Sequence, residues 1–80
     1  MTKGKNMSSV TKSIRFWVAP NGVLQFAEQI EKSELVNCIL GTDSGAVVVE
    51  VDYDSANSAE AGHISSLQQL DIILHTEHVD

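Results

Sequence analysis

After Ser13 the hydrophobic period of this chain switches in a fixed order: strand, helix, strand, strand, helix, strand. Few arrangements accommodate that order in so short a stretch. It predicts a four-stranded antiparallel sheet with both helices on one face. It leaves the activity open, because sheets of this kind carry many unrelated functions.

The individual segments are plain. Ser13 to Ala19 alternates, with Ile14, Phe16 and Val18 on one side and Arg15, Trp17 and Ala19 on the other. Pro20-Asn21-Gly22 breaks that strand, since proline lacks a ladder N–H and Asn and Gly accept turn dihedrals. A helix then starts at Asn21 or Gly22, with Val23, Phe26, Ala27 and Ile30 as its apolar stripe. Leu35 to Thr42 and Ala46 to Tyr53 are rich in β-formers and joined by Asp43-Ser44-Gly45, a hairpin signature. Val47, Val49, Val51 and Tyr53 share one face of the second of these strands, which with Ser13–Ala19 is expected at the sheet centre.

Asn57 followed by Glu60 fits a reciprocal helix cap. The helix after it carries Ala61, Ile64, Leu67 and Gln68 or Leu70 on its stripe, weakened at Gly62 by about 1 kcal/mol relative to alanine. Asp71 to Val79 reads as a last strand, with Ile72, Leu74 and Thr76 on one side and Ile73, His75 and Glu77 on the other. Ile72-Ile73-Leu74 also continues the helical stripe, so a helix extension is the alternative there. Residues 1–12 lack any hydrophobic period and read as a flexible tail; 13–80 read as the folded domain.

Eighty residues suffice for one small core. Cys38 is the only cysteine, which excludes an internal disulfide and a paired-thiol zinc knuckle. No stretch approaches a membrane span, and the basic start, Met1 to Asn6, is followed by no apolar run. Together with the lone thiol this predicts a cytoplasmic protein. The net charge is −6, and from Phe16 onward Lys32 is the sole cation among eleven acidic residues. Such a body repels phosphate backbones, so nucleic acid is not expected as a partner; with no spanning stretch, neither is a membrane.

If both helices cover the face of Ile14, Phe16 and Val18, the other face presents Arg15, Trp17, Ala46, Val48, Glu50, Ile73, His75 and Glu77. Arg15 with Glu50 or Glu77 makes a cross-strand ion pair, and Trp17, Val48 and Ile73 make an apolar centre. An exposed apolar patch on a small domain marks an interface. Arg15, Trp17, Val48, Glu50, Ile73 and His75 are therefore the interface candidates, for a homodimer or another protein, through the open face or the edge strands.

No residue pattern demands a cofactor, a metal or catalysis. His75 and His78 fall on opposite sides of a strand, and His75 shares a face only with Glu77. Cys38 sits among Leu35, Val36, Ile39 and Leu40, which predicts a buried, inert thiol. Asp43, Asp52 and Asp54 are the candidates for a hard cation, without EF-hand spacing. Pro20-Asn21-Gly22 offers N–H groups at a helix start but lacks a P-loop's glycines and lysine.

The element order resembles the ferredoxin-like βαββαβ split sandwich, an α+β class. Two families of that plan are similar. Heavy-metal-associated domains carry a CxxC pair where this chain has Ala19-Pro20-Asn21-Gly22, so their metal transfer is not implied. ACT domains, which are regulatory amino-acid-binding modules, carry a Pro-Gly before Val/Leu-Leu, similar to Pro20-Asn21-Gly22-Val23-Leu24. That resemblance implies a small-molecule ligand at Pro20, Asn21, Gly22 and Val23, beside a dimer interface. The expectation that follows is a non-enzymatic association domain, with an ACT-like sensor and an acidic cation-binding protein as alternatives.

Overall fold

A computed structural model describes residues 11–79. Its elements run β1 (Thr11–Val18), a short 3-10 turn (Pro20–Gly22), α1 (Val23–Ser33), β2 (Val36–Asp43), β3 (Ala46–Asp54), α2 (Ser58–Gln68) and β4 (Ile73–Val79). The fold is α+β: one four-stranded sheet in the order β2-β3-β1-β4, antiparallel throughout. Strand β1 starts two residues ahead of the alternation, so Thr11 and Lys12 belong to the sheet and pair with Asp54 and Tyr53. The rest of the expected tail, residues 1–10, lies outside the described residues.

The central pair is β1–β3. Ile14 faces Val51, Phe16 faces Val49 and Val18 faces Val47. Ile14, Phe16, Val18 and Val51 are completely buried. Above them lie Phe26 and Ile30 of α1 and Ile64 and Leu67 of α2, in one cluster, so both helices cover the same face. The Phe16 and Phe26 rings meet at 5.2 Å between centroids, tilted by 55°, a geometry aromatic pairs favour.

Local chemistry explains the joints. The β2–β3 hairpin turns on Ser44 and Gly45, with φ of 53° and 87°, the signs of a type I′ turn that matches the strands' twist. Asn57 caps α2, its side-chain oxygen accepting from the N–H groups of Ala59 and Glu60. The return half of the expected cap is displaced: the Glu60 carboxylate accepts from the Asp54 N–H, while Asn57's own N–H goes to the Asp54 carbonyl. The last segment is a strand, because α2 stops at Gln68 and the Ala19 N–H binds the Ile72 carbonyl at 2.8 Å.

Two bulges re-aim side chains. The register shifts between Ile39 and Gly41 in β2, with Gly41 at φ 141°, and again in β4 opposite Trp17 and Val18. In β4 the shift passes over Leu74, so His75 pairs with Trp17 but Ile73 pairs with Val18. Ile73 therefore packs against the helix-covered core, not on the open face where strict alternation puts it.

Gly22 is buried at the start of α1, and a Cβ there would collide with the Ile72 side chain. Gly22→Ala must push α1 off the entry to β4. It is expected to destabilise the fold by about 1–3 kcal/mol, as overpacked sites do, seen as a lowered denaturation midpoint with unchanged slope.

Candidate functional site

The open face is organised by Trp17. Its indole N–H donates to a carboxylate oxygen of Asp43 at 2.9 Å. Asp43 lies on β2 and Trp17 on β1, so the ring must cross β3. Val48 and Ala46, the β3 residues facing it, are buried to 7% and 4% exposure although no described helix covers them. The His75 ring meets the indole edge-on at 4.9 Å and its Nε2 lies 3.0 Å from a Glu77 carboxylate oxygen. Arg15 pairs with Glu50 at 2.9 Å and Ser13 donates to Asp52 at 2.7 Å. Both members of the Arg15–Glu50 pair are partly solvated, which limits it to about 1 kcal/mol or less.

Of the six sequence-predicted interface residues, Arg15, Trp17, Val48, Glu50 and His75 thus share one face, and Ile73 is removed to the other by the bulge. The apolar centre expected there is smaller than predicted. Trp17 covers Val48, and its polar edge already has partners within the chain.

The larger apolar surface lies at the β2 edge. Every residue of β2 is exposed, and only β3 pairs with it among the described residues. Val36 is 69% exposed and Ile39 64%, with Leu40 bare beside them and Leu24 of α1 nearby at 82%. No charged residue stands between Val36 and Thr42. Natural edge strands usually carry charges, proline or a cover that blocks further pairing. The other edge, β4, carries Glu77, His75 and His78.

Beside β2, on the helix side, runs a groove of about 510 Å³ between α1 and the sheet. Its lining combines the buried Phe26, Ile30 and Val49 with the exposed Leu24 and Ile39, and Glu28 and Glu31 also border it. Ala27, on the predicted stripe of α1, lines this space without filling it. Sequence reasoning did not find the groove. The available signal was the charge-free run from Leu35 to Thr42, which reads as core when its edge position is unknown.

Cys38 corrects the expectation of burial. It is exposed, pairs with Glu50 on the open face, and is uncovered because β2 is an edge. In the Pro20-to-Val23 loop, Pro20 and Asn21 are exposed, Gly22 is packed on Ile72, and Val23 packs against the core and lines the groove. The acidic candidates are dispersed: Asp43 pairs with Ala46 at one end of β3 and Asp54 with Thr11 at the other. Among the described residues no three His, Cys, Asp or Glu side chains converge as metal ligands. No described helix is long and apolar enough to cross a membrane.

No protein-family model, curated protein or solved structure matches this chain.

Two outcomes test this geometry. Trp17→Ala uncovers Val48 and Ala46 and is expected to cost about 1–3 kcal/mol in urea unfolding, while leaving the solution mass unchanged. The Cys38 thiol is expected to react with a chromogenic disulfide in the native protein at close to the rate of the urea-unfolded chain. A rate a hundredfold slower would place the thiol under cover.

Proposed function

We propose that this chain works by association: it is a ferredoxin-like α+β domain whose working surface is the β2 edge with the groove beside it. The βαββαβ element order and the strand order β2-β3-β1-β4 support the ferredoxin-like assignment. The single observation that carries the functional reading is the exposure of β2 along its whole length, with no charge from Val36 to Thr42 to block strand addition.

This reading moves the interface from the open face, the first choice from sequence, to the edge. On the open face Trp17 has intramolecular partners on two other strands, β2 and β4. At the edge, backbone groups and apolar side chains stand side by side, which is what an added strand requires. An exposed single thiol also fits residence in a reducing cytoplasm.

Ile39→Lys tests it. Ile39 is exposed in the free chain, so the substitution is expected to change stability by about 0.5 kcal/mol or less. It places a charge where an added strand would pair. Proteins retained from cell extract by the immobilised chain are expected to fall at least about tenfold with Ile39→Lys and to stay unchanged with Leu74→Lys on the opposite edge. Equal retention by both variants would remove the edge as the working surface.

A further inference from the structure

We propose that the occupant of this site is an extended peptide segment alternating apolar residues with Lys or Arg, bound as a fifth strand on β2. The proposal rests on the edge reading above and adds the partner's chemistry.

Three features of the site specify that chemistry. The outer side of β2 has no strand partner among the described residues, so a peptide gains main-chain hydrogen bonds only by extending along it. A strand in that position presents every second side chain to the helix side of the sheet. There it meets the groove of Leu24, Phe26, Ile30 and Ile39, which selects apolar residues at those positions. The third feature is charge. Glu28 and Glu31 border the groove, and neither forms an ion pair among the described residues. At the Val36 end a second depression is lined by Glu34, Asp52 and Glu60. Asp43 closes the other end of β2. Of these, Asp43 and Asp52 stand on the open face, toward which the alternate side chains of a strand seated in the groove point, while Glu28 and Glu31 stand on the helix side. β2 itself carries no cation.

The same charges decide against a second copy as the occupant. Two β2 strands paired antiparallel about a two-fold axis would bring Glu34 of each chain toward the partner's Asp43 end. They would also set the two groove carboxylate pairs facing one interface, with no cation on either strand to offset them. Like charges placed opposite one another disfavour that pairing, whereas a segment bearing Lys or Arg at its open-face positions turns Asp43 and Asp52 into contacts.

The test uses the full chain and four fluorescently labelled peptides of about nine residues, a typical strand length. One alternates Val and Lys. The second alternates Val and Glu. The third is the Val-Lys peptide with a central proline. The fourth has the same composition in two blocks. Anisotropy titrations are run at about 50 and about 300 mM salt. The alternating Val-Lys peptide is expected to bind, the other three to bind at least about tenfold more weakly, and its affinity to fall several-fold at the higher salt. Asp52→Asn, which keeps an acceptor for the Ser13 hydroxyl, is expected to weaken it about threefold or more, with an unchanged melting curve as the check on folding. Ile39→Lys is expected to abolish binding.

Equal binding of the Val-Glu peptide, or of the proline and block peptides, overturns the proposal. So does a wild-type dimer, detected by light scattering, that excludes every peptide. Failure of the edge itself is distinguishable, since it appears as indifference of extract retention to Ile39→Lys. Retention that responds to Ile39→Lys alongside peptides bound without regard to charge leaves the edge in place and removes the basic partner.

Discussion

The ladder between β1 and β3 is the constraint on which the rest of the molecule depends. It sets Ile14 against Val51 and Phe16 against Val49 beneath the helices, and Arg15 against Glu50 and Trp17 against Val48 on the other side. A slip of one residue would turn the slipped strand over and place the Arg15 guanidinium or the Glu50 carboxylate under α1 and α2. Each buried aliphatic or aromatic side chain on the helix side is worth about 1.5–3 kcal/mol relative to exposure. That gain holds the register against slippage. Once it is fixed, Phe16 receives Phe26 and so sets the position of α1.

The position of α1 in turn creates the asymmetry between the sheet's edges. Phe26 and Ile30 are drawn to the centre, Ala27 is short, and α1 leaves a gap toward β2 that no other described element fills. The edge at β4 is different in kind. Ile73 is turned to the core, and the outward residues are polar or charged apart from Leu74. Trp17 adds a brace on the uncovered side, joining β1 to β2 across β3 through a single indole. That brace holds the Asp43 end of β2 to the sheet although the strand's outer side has no strand partner among the described residues. The open edge is therefore anchored, which keeps its backbone groups aligned for a neighbour.

Much of this was legible in the sequence where periodicity is strong. The alternation of Ile14, Phe16 and Val18 identified both the strand and its buried face, and the valines of β3 did the same. Asp43-Ser44-Gly45 marked the hairpin, and Asn57 marked the start of α2. What was not legible came from single-residue events and from position within the sheet. A bulge changes the face of every residue beyond it, and nothing local distinguishes Leu74 as the residue passed over, so Ile73 was assigned to the wrong side. Cys38, Val36 and Ile39 are apolar or weakly polar residues in a β-rich run. Only the strand order shows that, among the described residues, this run has a strand neighbour on one side alone. The groove depends on the distance between a helix and a strand, which no residue pattern records.

The contact between Gly22 and Ile72 has a kinetic side. It joins the first turn of α1 to the entry of the last strand, two points that lie near opposite ends of the described chain. Closing such a long loop is slow compared with forming the β2–β3 hairpin, whose ends are already adjacent. The hairpin and its open edge are thus in a position to form early, while the helix that walls the groove gains its final seat only when β4 arrives. During that interval the apolar run from Val36 to Leu40 is exposed without its flanking wall. For a newly made chain this is the period of greatest exposure to unwanted strand pairing.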